Sequence, residues 1–250
     1  MEKFLSFEEI QHKCEQLNEV YQIDGEKFYQ VVENWAERNT STEEKMVNSF
    51  KELLQVVSDE IGRMEEKVEM KPTCQMGCAF CCYFPIIVNG MEAKLMKKAI
   101  EDFPEERRKG IQSHLKQYFE RYGEQLNEIT AYDFEEDPDF KKKYILNQVP
   151  CPMLNTETNQ CMAYEIRPIP CRTYVNYTDP KVCETNVMPE ETISFEFLYS
   201  EYMGALNEFV QYLYEEGDTA FVEYPDDVFA YDYLPNWLKS WVDQKPAQLK

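Results

Sequence analysis

Eight of the nine cysteines in this chain fall into two groups. The first group has the spacing C-x3-C-x2-C-C and comprises Cys74, Cys78, Cys81 and Cys82. The second group occupies a later stretch of the chain and comprises Cys151, Cys161, Cys171 and Cys183. Grouped thiols in a reducing compartment are typical of metal ligands or redox groups, whereas an isolated cysteine is more often a buried core residue. The two groups therefore predict a thiolate-held metal.

The spacing within each group indicates how the sulfurs would reach a metal. The short gaps of the first group let one tight turn direct several sulfurs at one ion, and Gly77 eases such a turn. The second group, with intervals of nine, nine and eleven residues, suits loops that return to a shared centre. Neighbouring side chains diverge, so one of Cys81 and Cys82 is expected to serve a second metal or to stay a thiol. Four thiolates hold either Zn²⁺ or an iron–sulfur cluster, so the spacing leaves both open.

The ninth cysteine and the two histidines are not expected to bind the metal. Cys14 lies on an apolar stripe with Ile10 and Leu17, where a cysteine packs as a small hydrophobic residue. His12 and His114 lie in helical segments that are distant in sequence from the cysteines, and both are expected at the surface or at a helix edge.

Composition narrows the possible partners and the compartment. The formal charge is 26 − 47 = −21, which disfavours nucleic acid and anionic membranes as partners. No apolar run is long enough for a transmembrane helix, and the first residues lack the pattern of a secretory signal. We therefore expect a cytoplasmic protein, and the sequence assigns no protein partner.

Apolar stripes at helical spacing predict helices on both sides of the cysteine-rich stretch. Three helices are expected within the first 71 residues. The third begins at a Ser41–Glu44 capping box, carries an apolar stripe from Met46 to Met64 and is ended by Pro72. Asn89 and Glu92 predict the start of another helix, which reaches about residue 103. After Pro104, a further helix carries Ile111, Leu115, Tyr118 and Tyr122 and would end at Gly123. A last long helix is expected over 195–213.

The stretch between these helices is expected to be loop-rich. Residues 150–189 contain six prolines and four cysteines and show no sustained apolar period. The predicted fold is mainly α, with helices flanking a loop-rich cysteine centre. We divide the sequence into an N-terminal helical region (1–71), a cysteine-cluster region (72–189) and a C-terminal helical region (190–250), packed as one domain.

Longer motifs around these cysteines resemble a known family. Cys151 is followed by Pro152, and the pattern C-x2-Y-x2-R-P-x2-C-R stands complete from Cys161 to Arg172. With C-x3-C-x2-C-C, these patterns resemble the cysteine-cluster family of zinc- or iron-chelating proteins, also described as iron–sulfur-cluster-containing, over about residues 72–185. The resemblance implies metal ligation by seven of the grouped cysteines: Cys74, Cys78, Cys81, Cys82, Cys151, Cys161 and Cys171. Cys183 is a candidate from its position in the second group.

Two arginines of the same motif are candidates for tuning the centre. Thiolates around a divalent metal leave a net negative charge, which the guanidinium groups of Arg167 and Arg172 could offset while donating to sulfur. Alternatively, each arginine pairs with a carboxylate such as Glu165 or Asp179, or caps loop carbonyls.

The sequence favours an iron–sulfur cluster over zinc and leaves the reaction unassigned. One alternative is a cluster-dependent enzyme, such as a methyltransferase or a thiol oxidoreductase. Cys74, Cys78 and Cys81 also match the spacing of radical S-adenosylmethionine enzymes, but the strand–helix alternation of their barrel is missing from this sequence. The other alternative is a zinc-stabilised scaffold or a metal carrier.

Overall fold

The computed structural model describes residues 4–75 and 77–243, and within them the protein is mainly α-helical, as predicted. The ends of the sequence-based regions, 1–3 and 244–250, lie outside the described residues, as does Met76. The α-helices are α1 (Phe7–Val20), α2 (Glu26–Ala36), α3 (Thr42–Lys67), α4 (Gly90–Glu101), α5 (Glu105–Ile129), α6 (Phe140–Leu146), α7 (Ile169–Thr173), α8 (Lys181–Thr185), α9 (Phe197–Glu215), α10 (Asp226–Phe229) and α11 (Leu234–Asp243). Short 3-10 helices occupy Phe80–Tyr83 and Tyr164–Ile166.

The strands are short and form antiparallel pairs. They are β1 (Ile87–Asn89), β2 (Leu154–Asn155), β3 (Gln160–Cys161), β4 (Tyr174–Val175), β5 (Ile193–Ser194) and β6 (Tyr231–Tyr233). β1 pairs with β6, β2 with β3, and β4 with β5. The described part of the chain therefore lacks the parallel strand–helix repeats of a β/α barrel.

The chain forms two compact units, each assembled from separated stretches of sequence. The first unit takes the described residues of Met1–Met76 together with Arg167–Tyr224. The second takes Gly77–Ile166 and the described residues of Pro225–Lys250. The cysteine-rich stretch contributes to both units: the first contains Cys74, Cys171 and Cys183, and the second contains Cys78, Cys81, Cys82, Cys151 and Cys161.

The core of the first unit is built by α2, α3 and α9. The predicted stripe of α3 is buried along its length, with Met46, Phe50, Leu53, Val57, Ile61 and Met64 all in the core. Helix α9 carries an apolar stripe from Leu198 to Leu213 and ends at Glu215, two residues before Gly217, which has a φ of 76°. At the contact between α2 and α9, a Cβ at Gly204 would lie 2.8 Å from the Tyr29 hydroxyl, so a larger residue there would require the Tyr29 side chain to shift.

Both ends of α3 differ in detail from the prediction. At its start Ser41 Oγ accepts a hydrogen bond from the Glu44 N–H, as expected, but the Glu44 carboxylate accepts from the Thr40 hydroxyl. The helix ends at Lys67, so the prediction that Pro72 ends it was wrong. The reason is local: Glu69 adopts a left-handed φ of 52°, and the Met70 N–H donates to Glu65 O at 2.8 Å, closing the last turn.

The second unit packs α4, α5 and α11 around the β1–β6 pair. Asn89 and Glu92 form the predicted capping box at the start of α4. Helix α5 continues through Gly123 to Ile129, which corrects the prediction that Gly123 terminates it. The stripe continues beyond the glycine, since Leu126 and Ile129 are buried, and this burial outweighs the modest cost of a glycine inside a helix.

The stretch 150–189 is made of short elements and loops, as its prolines and lack of period predicted. Many of its side chains are nevertheless buried, including Met153, Leu154, Ile166, Ile169 and Tyr177. Within the described residues, no helix is both long and apolar enough to cross a membrane.

Candidate metal centre

The later cysteines of the first group follow Gly77 and lie in or beside a single 3-10 turn. Gly77 has a φ of 93°, the left-handed conformation predicted for it. Cys81 and Cys82 lie within the 3-10 helix Phe80–Tyr83. Burial raises the pKa of the Cys78 thiol, and a hydrogen bond from the Phe80 N–H to its sulfur partly offsets that rise. The charge of the neighbouring Cys81 also raises the pKa of Cys78, so the two thiols interact electrostatically.

Cys151 links the two cysteine groups within the second unit. Its N–H donates to the carbonyl oxygen of Cys82 at 2.6 Å. Burial raises the pKa of its thiol to about 12, with a further contribution from the charge of Cys161 and a smaller one from Cys81. The N–H groups of Met153 and Leu154 donate to the Cys151 sulfur and work against this rise.

Cys161 is brought to the same region by the β2–β3 hairpin. In this pair Cys161 lies opposite Leu154, and the Met162 N–H donates to Met153 O at 2.8 Å. The hairpin thus spans the interval between Cys151 and Cys161 and returns the second cysteine toward the first. The second unit therefore combines members of both cysteine groups.

Cys74 is held in the first unit by a residue that the sequence analysis missed. The backbone N–H of Asn176 donates to Cys74 Sγ at 3.3 Å, and the Thr73 N–H donates to Asn176 O at 2.8 Å. The Asn176 side chain in turn accepts from the Thr178 N–H at 3.0 Å. The polar run from Asn176 to Asp179 is a recognisable turn signal, but nothing in it points to Cys74, which lies about a hundred residues earlier.

Cys171 and Cys183 lie in two short helices of the first unit, α7 and α8. Each follows a proline that precedes the helix, and the cysteine N–H groups donate to Pro168 O and Pro180 O respectively. Both residues are partly exposed. Their role as ligands stays a prediction.

Arg172 donates hydrogen bonds to a loop carbonyl and to a serine hydroxyl. Its Nε donates to Arg167 O at 2.9 Å, and a terminal nitrogen donates to Ser58 Oγ at 2.8 Å. Glu165, a candidate partner of the motif arginines, accepts two hydrogen bonds of 2.9 and 2.7 Å from Arg107. The proposed action of Arg167 and Arg172 on the thiolates stays a prediction.

The two histidines lie in different environments. His12 is exposed, as predicted. His114 is half-buried, and its Nε2 lies 3.0 Å from the carbonyl oxygen of Pro152, the residue that follows Cys151. Burial lowers the pKa of His114. Its position next to Leu115, which is buried, was the sequence feature that could have indicated partial burial of His114. The contact with Pro152 arises only in the folded chain.

The donor chemistry suits a thiolate-held metal. Backbone N–H groups donate to the sulfurs of Cys74, Cys78 and Cys151, an arrangement that stabilises thiolate over thiol and tunes sulfur ligands. Across 4–75 and 77–243, no three or more His, Cys, Asp or Glu side chains are arranged so as to hold a metal ion, so the support for a metal comes from the type of donor and not from a preformed arrangement.

Cys14 provides a test of which cysteines support metal binding. It lies on α1, is partly buried, and burial raises the pKa of its thiol. We expect Cys14→Ala to keep the metal content of the wild-type protein and to lower the free energy of unfolding by about 1 kcal/mol, because it leaves a small cavity. Metal analysis and urea denaturation measure the two effects. Loss of metal from this variant would show that Cys14 supports the centre.

Comparison with known proteins relates the cysteine region to a protein family. No significant match to the chain was found among curated proteins or among solved structures. Residues 73–191 match the family model CxxCxxCC, described as a putative zinc- or iron-chelating domain, which confirms the family resemblance predicted from the motifs.

Proposed function

We propose that this protein binds iron or zinc through thiolates from both cysteine groups, and that the bound group is an iron–sulfur cluster. The observation that carries the proposal is the backbone hydrogen bond from Cys151 to Cys82, since it joins a cysteine of the first group to one of the second. The candidate ligands are Cys78, Cys81, Cys82, Cys151 and Cys161 in the second unit and Cys74, Cys171 and Cys183 in the first, each unit being considered by itself.

The surroundings of the sulfurs support thiolate ligation. Metal binding requires a cysteine to lose its proton, and burial opposes that loss at Cys78 and Cys151. Backbone N–H groups at the same sulfurs favour the charged form, and a bound cation would favour it much more strongly. An iron–sulfur cluster held here would supply electron transfer, whereas zinc would supply a structural cross-link.

Iron–sulfur is favoured over zinc because eight grouped cysteines exceed the four that one tetrahedral zinc site uses. The family description names zinc and iron alike, so it supports a bound metal without choosing between the two. We further propose that the protein acts in the cytoplasm, where thiols stay reduced, and that its charge of −21 keeps it from nucleic acid.

Metal analysis of protein purified without oxygen tests this function. We expect at least about one iron per chain, with acid-labile sulfide and the broad visible absorption of sulfur-to-iron charge transfer. A colourless preparation with one or two tightly held zinc ions would instead favour the zinc-stabilised scaffold or the metal carrier. Less than about one metal per ten chains, with every thiol open to titration, would overturn the proposal.

A further inference from the structure

One face of α5 carries three polar side chains that reach the cysteine-bearing loops of the second unit. Arg107, His114 and Tyr118 are separated by seven and four residues, a spacing that places them on the same side of a helix. Each donates a hydrogen bond to a backbone carbonyl, and each of these carbonyls belongs to a residue adjacent in sequence to a candidate ligand.

Two of these bonds bracket Cys151. The buried Tyr118 hydroxyl donates to Pro150 O at 2.7 Å. His114 Nε2 lies 3.0 Å from Pro152 O. A carbonyl oxygen only accepts, so this nitrogen carries the proton and donates it. The carbonyls on either side of Cys151 are therefore held by side chains one helical turn apart.

The third bond reaches the segment that carries Cys161. Arg107 donates to Met162 O at 2.8 Å, next to that cysteine. Its guanidinium is itself oriented by the two bonds to Glu165 and lies 3.8 Å above the ring of Phe103. An exposed ion pair of this kind adds little stability by itself, so its main effect is to aim the donor at Met162.

We propose that Arg107, His114 and Tyr118 form an α5 clamp, a set of positioning residues that fix the backbone beside the candidate ligands Cys151 and Cys161; this inference rests on the proposed function. Fixing the flanking carbonyls restricts the backbone angles next to each cysteine, so less conformational freedom is lost when the sulfurs bind. Groups that orient metal ligands typically change metal affinity by 10- to 100-fold. The clamp should act mainly by slowing metal release.

A purely structural role is the competing explanation, because buried carbonyls need donors wherever they occur. The two roles differ in what they affect. A structural bond changes the stability of the unit, whereas a positioning bond also changes the rate at which the metal leaves. The second unit offers a matched control: the Tyr233 hydroxyl donates to Tyr132 O at 2.8 Å, and neither Tyr132 nor its sequence neighbours is a cysteine.

The experiment compares release of the native metal from anaerobically purified full-length variants. The variants are Tyr118→Phe, His114→Leu, His114→Gln and, as the control, Tyr233→Phe. A colorimetric chelator of iron or zinc follows the release, and circular dichroism checks that each variant folds. We expect Tyr118→Phe and His114→Leu to release metal about tenfold faster than the wild-type protein, and Tyr233→Phe to match it. His114→Gln should restore slow release, because its amide N–H can replace Nε2–H.

The outcomes separate this inference from the proposed function. Equal release rates in all variants, with wild-type protein that holds its metal, would overturn the clamp and leave the proposed function standing. Equal acceleration by Tyr233→Phe would assign the effect to stability and also overturn the clamp. Wild-type protein that retains no metal would overturn the proposed function, and the clamp with it.

Discussion

Replacing Cys151 by serine should leave the protein with less than about a tenth of its wild-type metal. Cys151 is the residue through which the two cysteine groups meet: its N–H bonds to Cys82, and its thiol responds to the charges of Cys161 and Cys81. A serine hydroxyl keeps the approximate volume but is a hard, weakly acidic donor that binds soft metals poorly. The backbone bond to Cys82 does not use the side chain, so the local fold should be largely retained.

The control for this experiment is Cys14→Ser, assayed for metal in parallel. This substitution removes a thiol from the first unit, at a position not expected to bind metal. Wild-type metal content in Cys151→Ser would remove Cys151 from the ligand set. Equal loss in both variants would indicate that the substitutions act through general destabilisation.

Removal of the metal should expose the backbone of 72–90 and 150–189 to solvent exchange while most of the helical signal persists. Residues 150–189 contain six prolines and only short elements, so hydrogen-bonded helices contribute little to their order. Metal ligation supplies free energy only to the folded arrangement of the loops, because the unfolded chain lacks the site. Helices α3 and α9 have buried apolar stripes of their own and should not require the metal.

Particular amides report on this effect in each unit. In the second unit they are the N–H groups of Cys151 and Met162, which bond to Cys82 O and Met153 O. In the first unit they are the N–H groups of Thr73 and Asn176. We expect these amides to exchange much faster after chelation, whereas amides in the middle of α9 keep their protection.

The prediction is tested by hydrogen exchange on metal-loaded and stripped protein, with circular dichroism measured in parallel. A change confined to one pair of reporter amides would assign the metal to that unit. Unchanged protection in both units after verified metal removal would contradict the prediction. The cysteines would then fit a redox or catalytic site on a preformed scaffold, and a cluster-dependent enzyme would become the better proposal.

Helices with continuous apolar stripes were predictable from sequence because periodic burial is a local pattern. The stripe of α3 from Met46 to Met64 and the Asn89–Glu92 capping box were confirmed. The errors concern helix ends. α3 ends before Pro72 because Glu69 takes a left-handed conformation, and α5 passes Gly123 because Leu126 and Ile129 find a core to pack in.

In the candidate site, too, some features were predictable from the sequence and others were not. Residue type and spacing were enough to select the grouped cysteines and to relate about residues 72–185 to a zinc- or iron-chelating family, because soft thiol donors in sequence motifs are a chemical signature. The family model matches residues 73–191. The ligand set, the bound metal and the division into three regions stay predictions.

The sequence by itself determined the helical class of the protein, the turn at Gly77 and the choice of thiol chemistry, since each depends on residue type and on neighbours a few positions away. Only the tertiary structure decided which groups surround those thiols. Asn176 meets Cys74 across 102 residues of sequence, His114 meets Pro152 across 38, and Arg107 meets Met162 across 55. Such contacts arise because buried carbonyls and sulfurs must find hydrogen-bond partners wherever the packed chain supplies them, and no local pattern in the sequence encodes that choice.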